Sequence, residues 1–356
     1  MRLTKKNTAA YLTNKGFLSM DDLMNGEFIL TQSQSRNSIF QVLRGNKTGL
    51  FVKQLVSMDS QNVYLMQKDA TVHYMIHKLD IFKNVKQFVP EYLGYDPKTQ
   101  VLVTGYFPNA QNLVEWSEAR KEISVDQAVE IATILSSFHM DLTKEIPNNS
   151  SLQFFNRDLP WILNIASMPN NYMDALFKII EEDVFLSTEL EEIRRNWSGN
   201  SLVHGDIKLV NFVAVNEGGK EKVKVIDWEI ANIGDPLWDV AGLLQSYLFF
   251  WITKLVAGPN GFQLMAGQEY LNTPNRNPIT NAFWNAYVEK QGWTKEEKDK
   301  AKIKTVKYVA VRLIQSAKEL NQLNPNQLSP TATLILQISK SILQSPEAAA
   351  KEYLGI

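Results

Sequence analysis

His204-Gly205-Asp206, with Asn211 five residues beyond the aspartate, and Asp227 at the end of a second short apolar run place two carboxylates and an amide at neighbouring strand ends. Leu202-Val203 leads into the first aspartate. The glycine-bearing turn Glu217-Gly218-Gly219 and the alternating strand Val223–Ile226 deliver the second. This set suits phosphoryl transfer: one carboxylate accepts the proton of an attacking hydroxyl, while an amide oxygen and a second carboxylate hold Mg²⁺ against nucleotide phosphates. Downstream, Gly234-Asp235-Pro236 is a helix start with aspartate at the N-cap and proline at N1. Asp239 then falls in the first turn, where the helix dipole favours an acid.

The elements that must position these groups can be read on either side. Strands are expected over Glu27–Thr31, Ile39–Leu43 and Leu50–Leu55, as an antiparallel meander with a turn at Arg44–Gly49. Lys53 sits between apolar residues in the third of these, where a lysine needs a partner. A helix over Gln61–Leu79 follows, and Asp69 is its only internal acid. Strands Tyr92–Tyr95 and Val101–Thr104 complete a five-stranded sheet, and Gly105-Tyr106-Phe107-Pro108 reads as a hinge. The polar segment Gln32–Ser38 occupies the place of a phosphate-covering loop but has no glycine. Its Ser and Asn side chains and backbone N–H groups could cap phosphates, with Arg36 adding charge.

From Gln111 onward the pattern is mainly helical. Ser124–Gln127 opens a helix through about Met140, with His139 as a packed structural residue. Helices are expected over Ser151–Met168, Asn171–Arg195, Pro278–Lys290, Lys295–Leu323, Thr331–Leu343 and Pro346–Leu354. His73 and His77 lie four apart on one helix face, but no third metal ligand accompanies them. The expected domains are residues 1–107 and 108–356.

With 356 residues, 44% hydrophobic and 21% charged, the composition is that of a soluble globular protein. Cysteine is absent, which removes disulfides, thiolate metal sites and a cysteine nucleophile together. The basic N-terminus has no apolar core of a signal peptide, and the apolar run Ala241–Gly258 is broken by Gln245, Ser246 and Lys254. The expectation is a cytoplasmic protein with no membrane span. Residues 1–107 carry 13 Lys+Arg and 8 Asp+Glu, a net of +5, so the remainder is −6 against a total of −1. A basic first part suits a polyphosphate and an acidic second part a metal or a cationic acceptor, and solvated faces with a chance asymmetry give the same balance. No basic patch interleaved with aromatics suggests a nucleic-acid partner.

His204-Gly205-Asp206 with Asn211, Ile226-Asp227-Trp228-Glu229 and Gly234-Asp235-Pro236 with Asp239 together resemble the aminoglycoside phosphotransferase and choline kinase-like family, a small-molecule branch of the protein-kinase-like fold. The resemblance implies an α+β bilobal fold: a small N-terminal antiparallel sheet lobe with one helix, and a larger, mainly helical C-terminal lobe. It implies Asp206 as catalytic base, Asn211 and Asp227 as Mg²⁺ ligands, and Lys53 on the α- and β-phosphates of ATP, braced by Asp69. It further implies adenine contacts from the backbone of Thr104–Phe107, including Thr104 and Tyr106, and phosphate contacts near Ser35 and Asn37, which match a polar S-x-N pattern. Asp239 would tie its helix to the catalytic loop, and His204 would support that loop. Asp69 stands where the family commonly has glutamate. The acceptor would be a small molecule of aminoglycoside, amino alcohol or sugar type. A kinase acting on peptide Ser or Thr, and a nucleotide-binding pseudokinase, are the alternatives.

Overall fold

The structure, a computed structural model, describes residues 1–24, 28–34, 36–45, 47–143, 155–167, 174–258, 261–322 and 325–356. The chain forms two compact units: Met1–Asn112 with Asn211–Ala231, and Leu113–Val210 with Asn232–Ile356. The division is discontinuous in sequence, unlike the single boundary at 107/108 read from the sequence. Asn211 and Asp227 therefore belong to the first unit and Asp206 to the second.

Two N-terminal helices, α1 (Thr8–Asn14) and α2 (Met20–Met24), precede β1 (Phe28–Gln34), β2 (Asn37–Arg44) and β3 (Lys47–Leu55). Helix α3 (Ser60–Lys78) then leads to β4 (Tyr92–Asp96) and β5 (Val101–Tyr106), giving an antiparallel sheet of order β1-β2-β3-β5-β4. Strand alternation divides its two faces. Phe40, Val42, Val52, Val101 and Val103 pack with Leu3, Tyr11, Leu12 and Leu18 from the N-terminus. Leu55 and Leu102 face the other way, onto Met66 and Ala70 of α3, and Lys53 shares their face. The start of α3 is set by Asp59, whose carboxylate accepts from the Asn62 N–H at 2.9 Å.

Two expectations change here. The segment expected to be a loop over Gln32–Ser38 is largely strand, paired Gln32↔Phe40 and Gln34↔Ser38. An edge strand needs only its backbone ladder and tolerates polar side chains on its solvent side, so residue polarity misreads it. Strand β5 also continues through Gly105 and Tyr106, two residues into the segment read as a hinge.

After β6 (Gln111–Asn112) come α4 (Leu113–Arg120), α5 (Val125–Thr143), α6 (Ala175–Glu182), α7 (Val184–Arg195) and β7 (Ser201–Val203). The helix expected over Ser151–Met168 is absent from its described part, where 155–160 are irregular and Trp161–Ser167 is a 3₁₀ turn. Pro160 disfavours helical backbone at the residue before it. The helix expected over Asn171–Arg195 is two helices. Asp183 ends α6 and caps α7, accepting from the Phe185 and Leu186 N–H groups. Residues 144–154 and 168–173 lie outside the described residues.

The chain returns to the first unit as the hairpin β8 (Phe212–Glu217) and β9 (Lys220–Val225). Its two-residue turn places Gly218 at φ 62° and Gly219 at φ 79°, values that L side chains adopt only with strain. The second unit then adds β10 (Asn232–Gly234), α8 (Pro236–Ile252), β11 (Leu255–Gly258), β12 (Gly261–Leu264), α9 (Thr273–Gln291), α10 (Lys295–Leu320), α11 (Pro330–Gln344), α12 (Pro346–Ala349) and a closing π-turn, Ala350–Leu354. Helix α8 is apolar around its circumference and buried along most of its length. Leu243, Leu244 and Leu248 are fully buried, each stabilising by about 1.5–3 kcal/mol. It therefore forms a rigid support for whatever hangs from its N-terminus. Among the described residues, no helix is long and apolar enough to cross a membrane.

Candidate active site

In the second unit, the loop that carries Asp206 is built on the N-terminus of α8. Asp235 caps the helix, accepting from the Leu237 N–H at 3.0 Å, and also takes hydrogen bonds from Tyr308 (2.9 Å) and Ser198 (2.7 Å). One turn on, the buried Asp239 accepts from the backbone N–H of His204 at 2.7 Å and of Gly205 at 2.9 Å. His139 stands behind it, with Nε2 3.3 Å from Asp239 and Nδ1 2.9 Å from the Tyr287 hydroxyl. His139 and Asp239 thus hold the structural positions that the sequence suggests.

The loop's carbonyls are held from the other side. Arg312, buried in the middle of α10, donates to the Gly205 carbonyl at 3.1 Å and the Ile207 carbonyl at 3.0 Å. Trp238 Nε1 also donates to the Gly205 carbonyl at 3.1 Å, and the Leu209 N–H donates to Ser246 Oγ at 2.9 Å. Gly242 permits this approach, since a Cβ there would lie 2.6 Å from the Ile207 carbonyl oxygen. The resulting loop carries Asp206 with its backbone N–H on His204 Nδ1 at 3.3 Å and its carboxylate 2.7 Å from Lys208 Nζ.

Asp239 makes the loop acid-sensitive. Burial pushes its pKa up, but the hydrogen bond from His139, the nearby His139 and His204 rings and the His204 N–H outweigh burial and hold it below the usual carboxylate value. A depressed carboxylate contributes stability that is fully present above its unfolded pKa and is lost as pH falls through the folded one. Asp239→Asn, which cannot titrate, should flatten the fall in stability below the reference value of 3.8, as read by denaturant midpoints against pH. An acid limb as steep as that of the wild type would show that the carboxylate charge at Asp239 does not anchor the loop.

The first unit assembles a different group. Lys53 Nζ lies 2.9 Å from Asp69, 3.0 Å from Asp227 and 3.6 Å from Glu229. Burial works against its charge, yet the three carboxylates outweigh burial and hold the ammonium well above its ordinary pKa. Asp69 reaches Lys53 because α3 packs directly on the face of β3 that carries the lysine. Asp227 sits at φ 68°, in the left-handed region that is costly for most residues, by about 1–3 kcal/mol. The Ile226 N–H donates to the Asn211 carbonyl at 2.9 Å, which ties the start of β8 to the residue before Asp227. Asn211 and Asp227 offer amide and carboxylate oxygens, the hard donors that suit Mg²⁺. Among the described residues, no three His, Cys, Asp or Glu side chains form a metal cage. A pair of oxygen ligands completed by water and phosphate is the usual arrangement for this ion.

Asn37 lines a narrow recess with Lys53, Glu229 and Arg36. Thr104 and Tyr106 lie on β5, paired with Phe51 and Gly49, so alternation puts them on the face of the sheet that carries Lys53. The intervening Gly105 N–H is engaged by the Glu91 carbonyl at 2.8 Å. Ser35 lies outside the described residues. His73 and His77 stack at 6.5 Å, and the His77 ring is hydrogen-bonded to the His73 carbonyl at 3.0 Å.

Three groups were not singled out from the sequence. Glu229, two residues beyond Asp227, pairs with both Lys53 and Arg36. Lys208 pairs with Asp206. Arg312 lies in the apolar run Tyr308–Ile314, and a buried arginine needs acceptors just as the lysine within β3 does. The same reasoning that picked out Lys53 would have found it.

The phosphotransferase enzyme family model matches residues 36–270, which include Lys53, Asp69, Asp206, Asn211, Asp227 and Asp239. The fold is similar to that of a choline/ethanolamine kinase family protein from Mesorhizobium loti (14% identity, TM-score 0.54, 96% of each chain covered). It is also similar to choline kinase from Cryptosporidium parvum (12% identity, TM-score 0.59, 97% of this chain and 96% of that one). A third likeness is to aminoglycoside 2'-phosphotransferase-IIIa, solved as its GDP complex (13% identity, TM-score 0.56, 96% and 99%). At such identities the solved structures speak to the fold alone, a kinase-like α+β architecture. No curated protein matches the sequence. The family match spans Asp206 and the lysine–carboxylate group alike, and the chain belongs to the phosphotransferase enzyme family.

Proposed function

We propose that the protein is an ATP- and Mg²⁺-dependent phosphotransferase that moves the γ-phosphate to a hydroxyl of a small molecule of aminoglycoside, amino alcohol or sugar type. The observation that carries this reading is the buried Lys53 ammonium held by Asp69 and Asp227, a preorganised cation on the sheet face where nucleotide phosphates would lie. Lys53 would contact the α- and β-phosphates while Asp69 fixes its direction. Thr104 and Tyr106 would lie along the adenine side, with Ser35 and Asn37 beside the phosphates. Asn211 and Asp227 would hold Mg²⁺, which neutralises phosphate charge when bound. Asp206 would orient the acceptor hydroxyl and take its proton as the oxygen attacks phosphorus, so that the phosphoryl group passes to that oxygen and ADP leaves. Positioning and charge neutralisation supply most of the rate, since the protein forms no bond to the phosphoryl group.

The test is a phosphate-release and transfer assay on the full chain with and without a chelator. ATP and GTP belong in parallel arms, because the similar aminoglycoside 2'-phosphotransferase was solved with GDP. Turnover should vanish with EDTA, return with excess Mg²⁺, and need more Mg²⁺ in Asp227→Asn. Turnover that persists in EDTA would remove the metal from the reading.

A further inference from the structure

Two polar side chains lie one turn apart on the buried face of α3, among Met66, Ala70, Val72, Met75 and Ile76. Asp69 is 2% exposed and His73 is 4% exposed. Asp69 uses one carboxylate oxygen, Oδ2, on Lys53 at 2.9 Å. Its other oxygen, Oδ1, is sealed from solvent and has no hydrogen-bond partner among the described residues. His73 Nε2 stands 3.6 Å from that oxygen. His77, a further turn along, has its ring on the His73 carbonyl, so the histidine spacing does not converge on a metal.

We infer that His73 is a positioning residue for the nucleotide site: its Nε2–H holds Oδ1 of Asp69, and Asp69, fixed at both oxygens, keeps Lys53 aimed at the phosphates; this rests on the phosphotransfer reading above. A carboxylate tethered through one oxygen is free to turn about χ2, whereas a second anchor fixes its plane. The 3.6 Å separation is an ion-pair distance, longer than a hydrogen bond. A swing of the ring by roughly 10° closes it without leaving a rotamer well.

The proton's place follows from what is buried. Burial is the largest influence on the ring and favours its neutral form, which has one N–H and one bare nitrogen. Nδ1 is sealed from solvent without a hydrogen-bond partner among the described residues. A proton there would bury an unpaired donor and turn a lone pair toward Asp69. A proton on Nε2 meets the carboxylate oxygen that water cannot reach. The rival acceptor for the ring is the Pro90 carbonyl, ahead of β4.

The first test needs no substitution. The chain has four histidines, and ¹⁵N-histidine NMR of the full-length protein should show His73 as the Nε2–H tautomer. The second test reads the Kd for ATP with Mg²⁺ by calorimetry, beside the melting temperature. His73→Leu should weaken ATP binding by about 10-fold, the low end of what the outer partner of a ligand is worth. His73→Gln, whose amide N–H reaches as far as Nε2, should restore it. His73→Asn, whose amide reaches only as far as Nδ1, should not. In an Asp69→Ala background His73→Leu should weaken ATP binding no further, because the ring acts through that carboxylate. An Nδ1–H tautomer, equal ATP affinity in the Leu and Gln variants, or additive effects of His73→Leu and Asp69→Ala would overturn the assignment. The underlying reading is judged separately by turnover: a wild-type protein that binds ATP and transfers no phosphate defeats that reading, while the tautomer and the affinities still decide the role of His73.

Discussion

Asp206→Asn should lower kcat by about 10²–10⁴-fold, the range for removal of a positioned general base, while leaving the KM for ATP near its wild-type value. The substitution keeps the shape of the side chain and removes its capacity to take a proton. The loop should hold its form, because its backbone is fixed by contacts that do not involve the Asp206 carboxylate. Asp239 holds the His204 and Gly205 N–H groups, and Arg312 and Trp238 hold the Gly205 carbonyl. Melting temperature should accordingly change little, even though Lys208 loses its charged partner, since the half-exposed lysine can turn to solvent and pairs open to water contribute only about 0–1 kcal/mol. Single-turnover kinetics with saturating ATP separate the chemical step from release. A wild-type single-turnover rate in Asp206→Asn would assign the base elsewhere.

Lys53→Met should be costly twice. Removing an oriented cation from a phosphate site lowers kcat/KM for ATP by about 10²–10³-fold, the size seen when one preorganised electrostatic group is lost. It also strands Asp69, which is only 2% exposed and whose other ion-pair contact among the described residues is the His73 ring at 3.6 Å. Breaking a buried pair from one side costs about 3–5 kcal/mol, because the other charge is left uncompensated. Burial is the largest influence holding the His73 ring below its ordinary pKa, and it persists in the variant, so the ring is a poor replacement for the lysine charge. The double substitution Lys53→Met with Asp69→Leu should recover most of the stability and none of the activity, as read by urea midpoints beside ATP turnover. Equal stability of the single and double variants would mean that the pair is not energetically coupled. Full activity in Lys53→Met would remove this lysine from the nucleotide site.

Much of this chemistry is legible in the sequence because it rests on short spacings. His204-Gly205-Asp206 with Asn211, and Asp227 after an alternating strand, are local patterns, and so is the Asp235-Pro236 cap that starts α8. Lys53 announces itself because a lysine inside an apolar strand needs a partner, and the structure supplies Asp69 and Asp227. Elsewhere local reading misleads. The Gln32–Ser38 segment is polar yet mostly strand, since a backbone ladder on an edge strand does not require apolar side chains. The stretch before Arg195 scores as one helix because its apolar period runs on, whereas Asp183 bonds the N–H groups that follow it and restarts the helix.

The sequence by itself determined the chemical vocabulary: which carboxylates, amide and lysine are present, and the order in which a kinase-like chain presents them. It also determined some helix starts, such as those of α8 and α10, because a cap acts on N–H groups two or three residues away. Only the tertiary structure decided the partners. Arg312 reaches the Gly205 and Ile207 carbonyls from 107 and 105 residues away, and Glu229 joins Lys53 across 176 positions of chain. Such contacts follow from helix and sheet packing, which residue spacing along the chain does not encode. The discontinuous first unit has the same origin: the β8–β9 hairpin pairs with β6 through Gln111↔Ala214, so Asn211 and Asp227 join the sheet unit while Asp206 stays with the helices.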